Sequence, residues 1–260
     1  MYTFQTRVRY SEVDPQRRME LSSILNCFQD CSNFHSQDLG VGIDTLTARK
    51  RVWLLSAWQI EIVCPPRLFD HITVGTWPYA FKGLYGYRNF IIYNEERGHE
   101  TAAYANSIWF LMDTETGLPT RIAPEDSAAY RLEEAYPMDY APRKIALPAV
   151  NLPDSAFSAQ SFSEIRVTRM LLDTNNHVNN GQYVRLAEGV LPENFAVRAM
   201  RAEYRRAALL DDVIFPVLYA APTEDTCYVS LNDAAGQPFA IVSFRGERYT
   251  ETECAECREE

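Results

Sequence analysis

The chain has no run of about 18 consecutive apolar residues, the length a membrane-spanning helix needs, although 47% of its 260 residues are hydrophobic. Positive charge is in the minority, 25 Lys and Arg against 35 Asp and Glu, and the net charge of −10 argues against a general nucleic-acid surface. The opening, MYTFQTRVRYSEVD, has neither the apolar stretch nor the cleavage-like site of a signal peptide, which sets the expectation of a cytoplasmic protein. Cysteines are few and scattered, at 27, 31, 64, 227, 254 and 257. Cys27 and Cys31 stand four apart in a helical pattern and are expected on one face. Only Cys254 and Cys257 form a C-x-x-C, in the tail ETECAECREE. A zinc or redox centre needs a second pair or thioredoxin-like surroundings, so incidental thiols at a frayed end are expected there. Also absent are G-x-S-x-G, H-E-x-x-H, G-x-G-x-x-G and a Walker loop, which takes weight from an elbow-type serine hydrolase, a zincin and a nucleotide enzyme.

What is present has the size of one large domain or two small ones. Residues 21–39 place Leu21, Ile24, Leu25, Phe28, Cys31 and His35 at helical spacing. Strand-like runs rich in aromatic and β-branched residues follow at 53–63, 71–77, 84–93 and 102–112, and DTETG (113–117) is a turn signal. The second half repeats the theme. A helical face of Tyr183, Leu186, Ala187 and Val190 precedes strand-like runs at 195–206, 213–221, 226–232 and 238–244. Val8 to Asp14 lies on Val167 to Asp173 at a shift of 159 residues (173 − 14). Glu61 and Asp70 lie on Glu203 and Asp212 at a shift of 142 (212 − 70). This common order predicts a tandem duplication of one helix-plus-sheet unit, an α+β fold in which a sheet wraps a helix.

The densest polar stretch is DTNNHVNNGQY, Asp173 to Tyr183. Asn and Asp favour turns and helix N-caps, and Asn179 or Asn180 is placed to cap a helix beginning near Gly181. That accounts for the asparagines without any chemistry. Other features point to chemistry. In an extended segment the period of two would put Asp173, Asn175 and His177 on one face, joining a base, a positioning amide and a proton carrier. The first turn of the following helix, near Asn180 to Gln182, offers N–H groups to a developing oxyanion. The first-half counterpart keeps Asp14 but has Pro15, Gln16, Arg17 and Arg18 in place of the Asn-His set.

With its D-x-N-x-H-V-N-N-x-x-Y (Asp173 to Tyr183), E-Y-R-R (Glu203 to Arg206), W-x-x-x-x-W-x-I-E-I (Trp53 to Ile62) and S-I-W-F-L-M-D (Ser107 to Asp113), the chain resembles the acyl-acyl-carrier-protein thioesterases of plants and bacteria. That is a double hot-dog family, and the resemblance covers nearly the whole chain. It implies an N-terminal hot-dog (1–130) holding the acyl chain and a catalytic C-terminal hot-dog (161–250). Residues 131–160, richer in Pro, Ala and Ser and without a long periodic pattern, read as the linker between them, and 251–260 as an acidic tail. The resemblance also implies hydrolysis of fatty acyl-acyl carrier protein to free fatty acid, of the oleoyl type, in fatty acid biosynthesis, with acyl carrier protein as partner and no metal or organic cofactor. Asp173, Asn175 and His177 fall on the family's catalytic Asp, Asn and His.

The chain departs from plant members in one respect. They place a Glu and a Cys, assigned catalytic roles, directly after E-Y-R-R, whereas this chain has Ala207 and Ala208. Glu203 or Asp211 would have to stand in for the missing carboxylate. Docking an acidic carrier protein on an acidic chain calls for a local basic patch, with Arg198, Arg201, Arg205 and Arg206, or Arg143 and Lys144, as candidates. A homodimer is compatible with all of this. An acyl-CoA thioesterase or a dehydratase on the same fold, and a non-catalytic acyl-binding module, remain open alternatives.

Overall fold

Alternating aromatic and β-branched residues form strands at every run expected of them. The computed structural model describes residues 1–150 and 155–248 and divides at Ala141/Pro142 into two units. Cys254, Cys257 and the acidic tail 251–260 lie outside the described residues. No helix is long and apolar enough to cross a membrane, and no group of His, Cys, Asp and Glu suited to a metal ion occurs, among the described residues.

The N-terminal unit runs β1 (Tyr2–Arg7), α1 (Leu21–Asp38), α2 (Ile43–Ala48), β2 (Arg51–Ile62), β3 (His71–Lys82), β4 (Tyr85–Asn94), β5 (Glu100–Asp113), β6 (Leu118–Pro119) and α3 (Pro124–Ser127). Its main strands pair antiparallel in the order β1-β3-β4-β5-β2. Helix α1 buries Leu21, Ile24, Leu25, Phe28 and Cys31, as their spacing requires. Phe28 meets Trp58 of β2 and Phe90 of β4 with ring centroids 6.1 and 5.2 Å away. The helix stops at Gly40, whose φ of 72° suits a residue without a Cβ.

The C-terminal unit runs β7 (Ser158–Ser161), β8 (Ile165–Arg166), α4 (Asn180–Glu188), β9 (Phe195–Tyr204), β10 (Val213–Ala220), β11 (Thr226–Asn232) and β12 (Pro238–Arg248). Its order, β9-β12-β11-β10-β7 with β8 also on β10, repeats that of the N-terminal unit. Helix α4 starts at Asn180 behind an Asn179 cap, as expected, and ends at Glu188. Its buried residues are Gly181, Tyr183, Val184 and Ala187, while Leu186 is only partly buried and Val190 lies beyond the helix.

The duplication extends to individual backbone bonds. Val8 N–H donates to Asp70 O and Phe69 N–H to Val8 O. At the two shifts, Val167 N–H donates to Asp212 O and Asp211 N–H to Val167 O. Phe69 and Asp211 share a left-handed backbone, φ 75° and 70°. Residues 131–150, within the expected linker, hold no helix or strand. They are nonetheless tied down. Gln59 Nε2 donates to Asp139 O (2.8 Å) and its Oε1 accepts from Ala141 N–H (2.9 Å), and Trp77 Nε1 donates to Glu134 O (2.8 Å). In the C-terminal unit, Glu203 receives the Ile145 N–H (2.8 Å). The end of the expected linker is strand β7.

Candidate active site

Asp173, Asn175 and His177 come together in a turn, not in an extended segment. Leu172 and Val178 form a bridge that closes it. Inside, Asp173 N–H donates to His177 O (2.8 Å) and Asn176 N–H to Asp173 O (3.1 Å). Asn176 takes φ 58°, a conformation asparagine tolerates better than most residues. The physical reason is local. The Asp173 Oδ1 accepts the N–H groups of Asn175 (2.8 Å) and His177 (3.3 Å), and this side-chain-to-backbone bonding outcompetes extension. The period-two argument therefore fails. The three residues are gathered by the folding of the Asp173 carboxylate over the turn.

One carboxylate oxygen is thus committed, while Oδ2 has no hydrogen-bond partner among the described residues, and neither do the Asn175 and His177 side chains. Asp173 and His177 are partly exposed and Asn175 is exposed. Immediately after the turn, Asn179 caps α4, its side chain accepting from Gly181 N–H (2.8 Å). Gln182 N–H donates to Asn179 O (2.9 Å). Of the three N–H groups expected to face an oxyanion, Gly181 and Gln182 are engaged within the cap, which leaves Asn180.

The counterpart turn in the N-terminal unit has the same frame. Asp14 N–H donates to Arg18 O (2.8 Å), Arg17 takes φ 61°, and Val13 bridges to Met19. The two turns differ in the second carboxylate oxygen. Arg18, at the position of His177, donates its backbone N–H to Asp14 Oδ1 (2.8 Å) and its Nε to Asp14 Oδ2 (3.1 Å). One copy neutralises its carboxylate with a guanidinium. The other leaves an oxygen without a hydrogen-bond partner and has a histidine where the first copy has its arginine.

Two tyrosines, one from each C-terminal motif, tie down the segments around the Asp173 turn. Ala208, fully buried, donates its N–H to the Tyr183 hydroxyl (2.7 Å), and its carbonyl receives Val178 N–H (3.0 Å). Tyr204 OH donates to Asn180 O (3.0 Å). Burial pushes the Tyr183 phenol up to about 12 and raises that of Tyr204 as well, so both remain hydroxyls. A tyrosine on a buried helix face needs a partner for its oxygen, and that is the signal by which Tyr183 could have been found.

The stand-in carboxylates are occupied. Glu203 is buried and holds Ile145 N–H and the Arg205 guanidinium (3.1 Å). Asp211, on an exposed turn, pairs with Arg166 at 3.4 Å. Ala207 is exposed. Three of the four cysteines among the described residues are buried. Burial pushes Cys27 and Cys31 up to about 12, and Cys227 is buried. The arginines considered for a basic patch each have partners. Arg198 pairs with Glu247, Arg201 with the Pro142 and Lys144 carbonyls, Arg205 with Glu203, and Arg206 with Asp233 while lying over the Phe239 ring.

Comparison with known proteins bears on both units. Family models described as the acyl-ACP thioesterase N-terminal domain and C-terminal domain match residues 1–130 and 155–252. Oleoyl-acyl carrier protein thioesterase 2, chloroplastic, of Arabidopsis thaliana is 27% identical over 225 residues, 80% of this chain and 59% of that relative. The chain likewise covers 60% of its thioesterase 1 counterpart, at 26% identity over 226 residues. This chain therefore spans about three fifths of the length of these plant relatives. Among solved structures, an acyl-ACP thioesterase from Bacteroides thetaiotaomicron superposes with a TM-score of 0.81 at 22% identity, covering 94% of this chain and 97% of that one. The 12:0-ACP thioesterase from Umbellularia californica gives 0.78 at 20% identity, covering 96% and 98%. Both are similar in fold, the double hot-dog.

Proposed function

Because the chain belongs to the acyl-ACP thioesterase family, we propose that it hydrolyses the thioester of fatty acyl-acyl carrier protein, releasing a free fatty acid and the carrier thiol. The observation that carries this reading is the contrast between twin turns. The carboxylate of Asp14 is neutralised by Arg18, whereas that of Asp173 is oriented by two backbone N–H groups and keeps one oxygen unpartnered.

Asp173 Oδ2 takes a proton from water as the water attacks the acyl carbonyl, or attacks it directly to give a transient anhydride that water then opens. Asn175 positions the water or the carbonyl. His177 delivers a proton to the departing thiolate. The Asn180 N–H at the start of α4 faces the developing oxyanion, a donor of a kind typically worth roughly a hundred- to a thousand-fold in rate. No cysteine takes part, because Ala207 and Ala208 occupy the positions where plant members carry Glu and Cys.

The test is a thiol-release assay with carrier-protein thioesters of graded chain length beside the matching CoA thioesters. Turnover preferring the carrier-protein series is the expected result. Equal use of CoA would move the donor to acyl-CoA. Saturable acyl binding with no thiol release would leave a non-catalytic module.

A further inference from the structure

Arg88 on β4 is a buried cation without a counter-ion. Its residue is 8% exposed, and the alternation of β4 puts it on the same face as Phe90, toward α1. All its partners are neutral. Nη1 lies 3.0 Å from His35 Nδ1 on α1 and 3.3 Å from Thr76 Oγ1 on β3. The guanidinium carbon stands 5.3 Å from the centroid of the Tyr130 ring. Thr76 donates its own proton to Asn89 O (3.0 Å), so its oxygen is free to accept. Burial, then the Arg88 charge, hold the His35 imidazole down at about 4, so it too accepts as a neutral ring. The carboxylates nearest His35 are committed elsewhere, Asp38 to the Tyr2 hydroxyl (2.6 Å) and Glu133 to the Met1 amine.

Arg88 Nε and Nη2 have no hydrogen-bond partner among the described residues. They form the paired edge of a guanidinium that matches a carboxylate. An isolated buried charge is costly and is normally paired. The core next to it is apolar, with Phe28, Trp58 and Phe90 buried. Along α1, Phe28 against Trp58 and Phe90 precedes His35 by seven residues, about 10 Å at 1.5 Å per residue.

We propose that the N-terminal unit holds a carboxylate-binding site at Arg88, which takes the charged end of an alkyl chain lying along α1. The carboxylate comes either from the far end of an ω-carboxyacyl thioester or from a free fatty acid bound head-first. The assignment of source, though not the site itself, rests on the thioesterase reading.

Calorimetric titration of the full chain with octanoate and with 1-octanol tests the site. The wild type is expected to bind octanoate at least roughly ten-fold tighter, the scale of a charged hydrogen bond, and Arg88→Met to bind the two alike. Equal binding by the wild type, or an unchanged preference in Arg88→Met, overturns the site. Should Arg88→Met not fold, Arg88→Lys keeps the charge and gives up the paired donors. It is expected to weaken octanoate alone, and an unchanged octanoate affinity overturns the site. Turnover of octanedioyl against octanoyl thioesters of the carrier protein distinguishes the sources. A preference for octanedioyl that Arg88→Met removes assigns the acyl end, and inhibition by octanoate without that preference assigns the free acid. Absence of all turnover would defeat the hydrolase reading and leave the binding result standing.

Discussion

Asp173 does two things with its two oxygens, and substitution can separate them. Asparagine keeps an Oδ1 that accepts the Asn175 and His177 N–H groups, so Asp173→Asn is expected to fold with stability within about 0.5 kcal/mol of the wild type. Thiol release is expected to fall roughly a hundred- to ten-thousand-fold, the usual contribution of a positioned base. Near-normal turnover in this variant would remove Asp173 from the chemistry. Asp14→Asn is the control. It loses a partly exposed ion pair worth about 0–1 kcal/mol and leaves turnover unchanged. His35 gives a second prediction at this scale. Its folded value of about 4 lies below the ordinary value near 6.5. As pH falls from about 6.5 to about 4, the unfolded chain takes up a proton that the folded chain refuses, so stability declines through that window and no further below it. Urea unfolding across this range should show a smaller loss in His35→Gln than in the wild type, and equal losses would mean that His35 is not a contributor.

At the scale of the element, the turn and α4 are held by contacts between remote segments. Tyr183→Phe removes the acceptor of the buried Ala208 N–H, and an unsatisfied buried donor costs about 1–3 kcal/mol. Since Ala208 O also anchors Val178, next to His177, we expect kcat to fall with KM nearly kept, together with a lower melting temperature. Tyr204→Phe only removes a donor to Asn180 O and should be milder in both. If Tyr183→Phe lowers stability without lowering kcat, the clamp is structural only. Much of this element was legible beforehand. Asp173, Asn176 and Asn179 act on neighbours within a few residues, and such side chains announce turns and caps. The turn geometry itself was misread, because alternation in sequence says nothing about whether the backbone is extended.

For the whole molecule, duplication followed by divergence suggests a division of labour. The N-terminal helix has 18 residues against 9 in the C-terminal one, and its face is lined by Phe28, Trp58 and Phe90. Phe28→Leu, which opens space between α1 and the sheet, is expected to shift the preferred chain toward longer acyl groups. The shift should be graded, since each buried methylene is worth about 0.8 kcal/mol. Val184→Ala on α4 should slow all chain lengths alike. The reverse pattern in the two chain-length profiles would mean that pocket and chemistry are assigned to the wrong units.

The two shifts, 159 and 142, were readable because each copy repeats the same local turn chemistry at its helix entry and its strand entry. Strand positions followed from alternation, and the Asp-Asn-His set from its motif. Only the tertiary structure decided what those groups meet. Arg88 faces His35 from 53 residues away, Ala208 finds Tyr183 25 residues away, and Glu203 is used up on Ile145 58 residues away. Turns and caps are set by bonds within a few residues, so they are written locally. A buried cation left without a counter-ion, and a carboxylate used up on a remote backbone N–H, depend on groups that only the tertiary fold brings within about 3 Å.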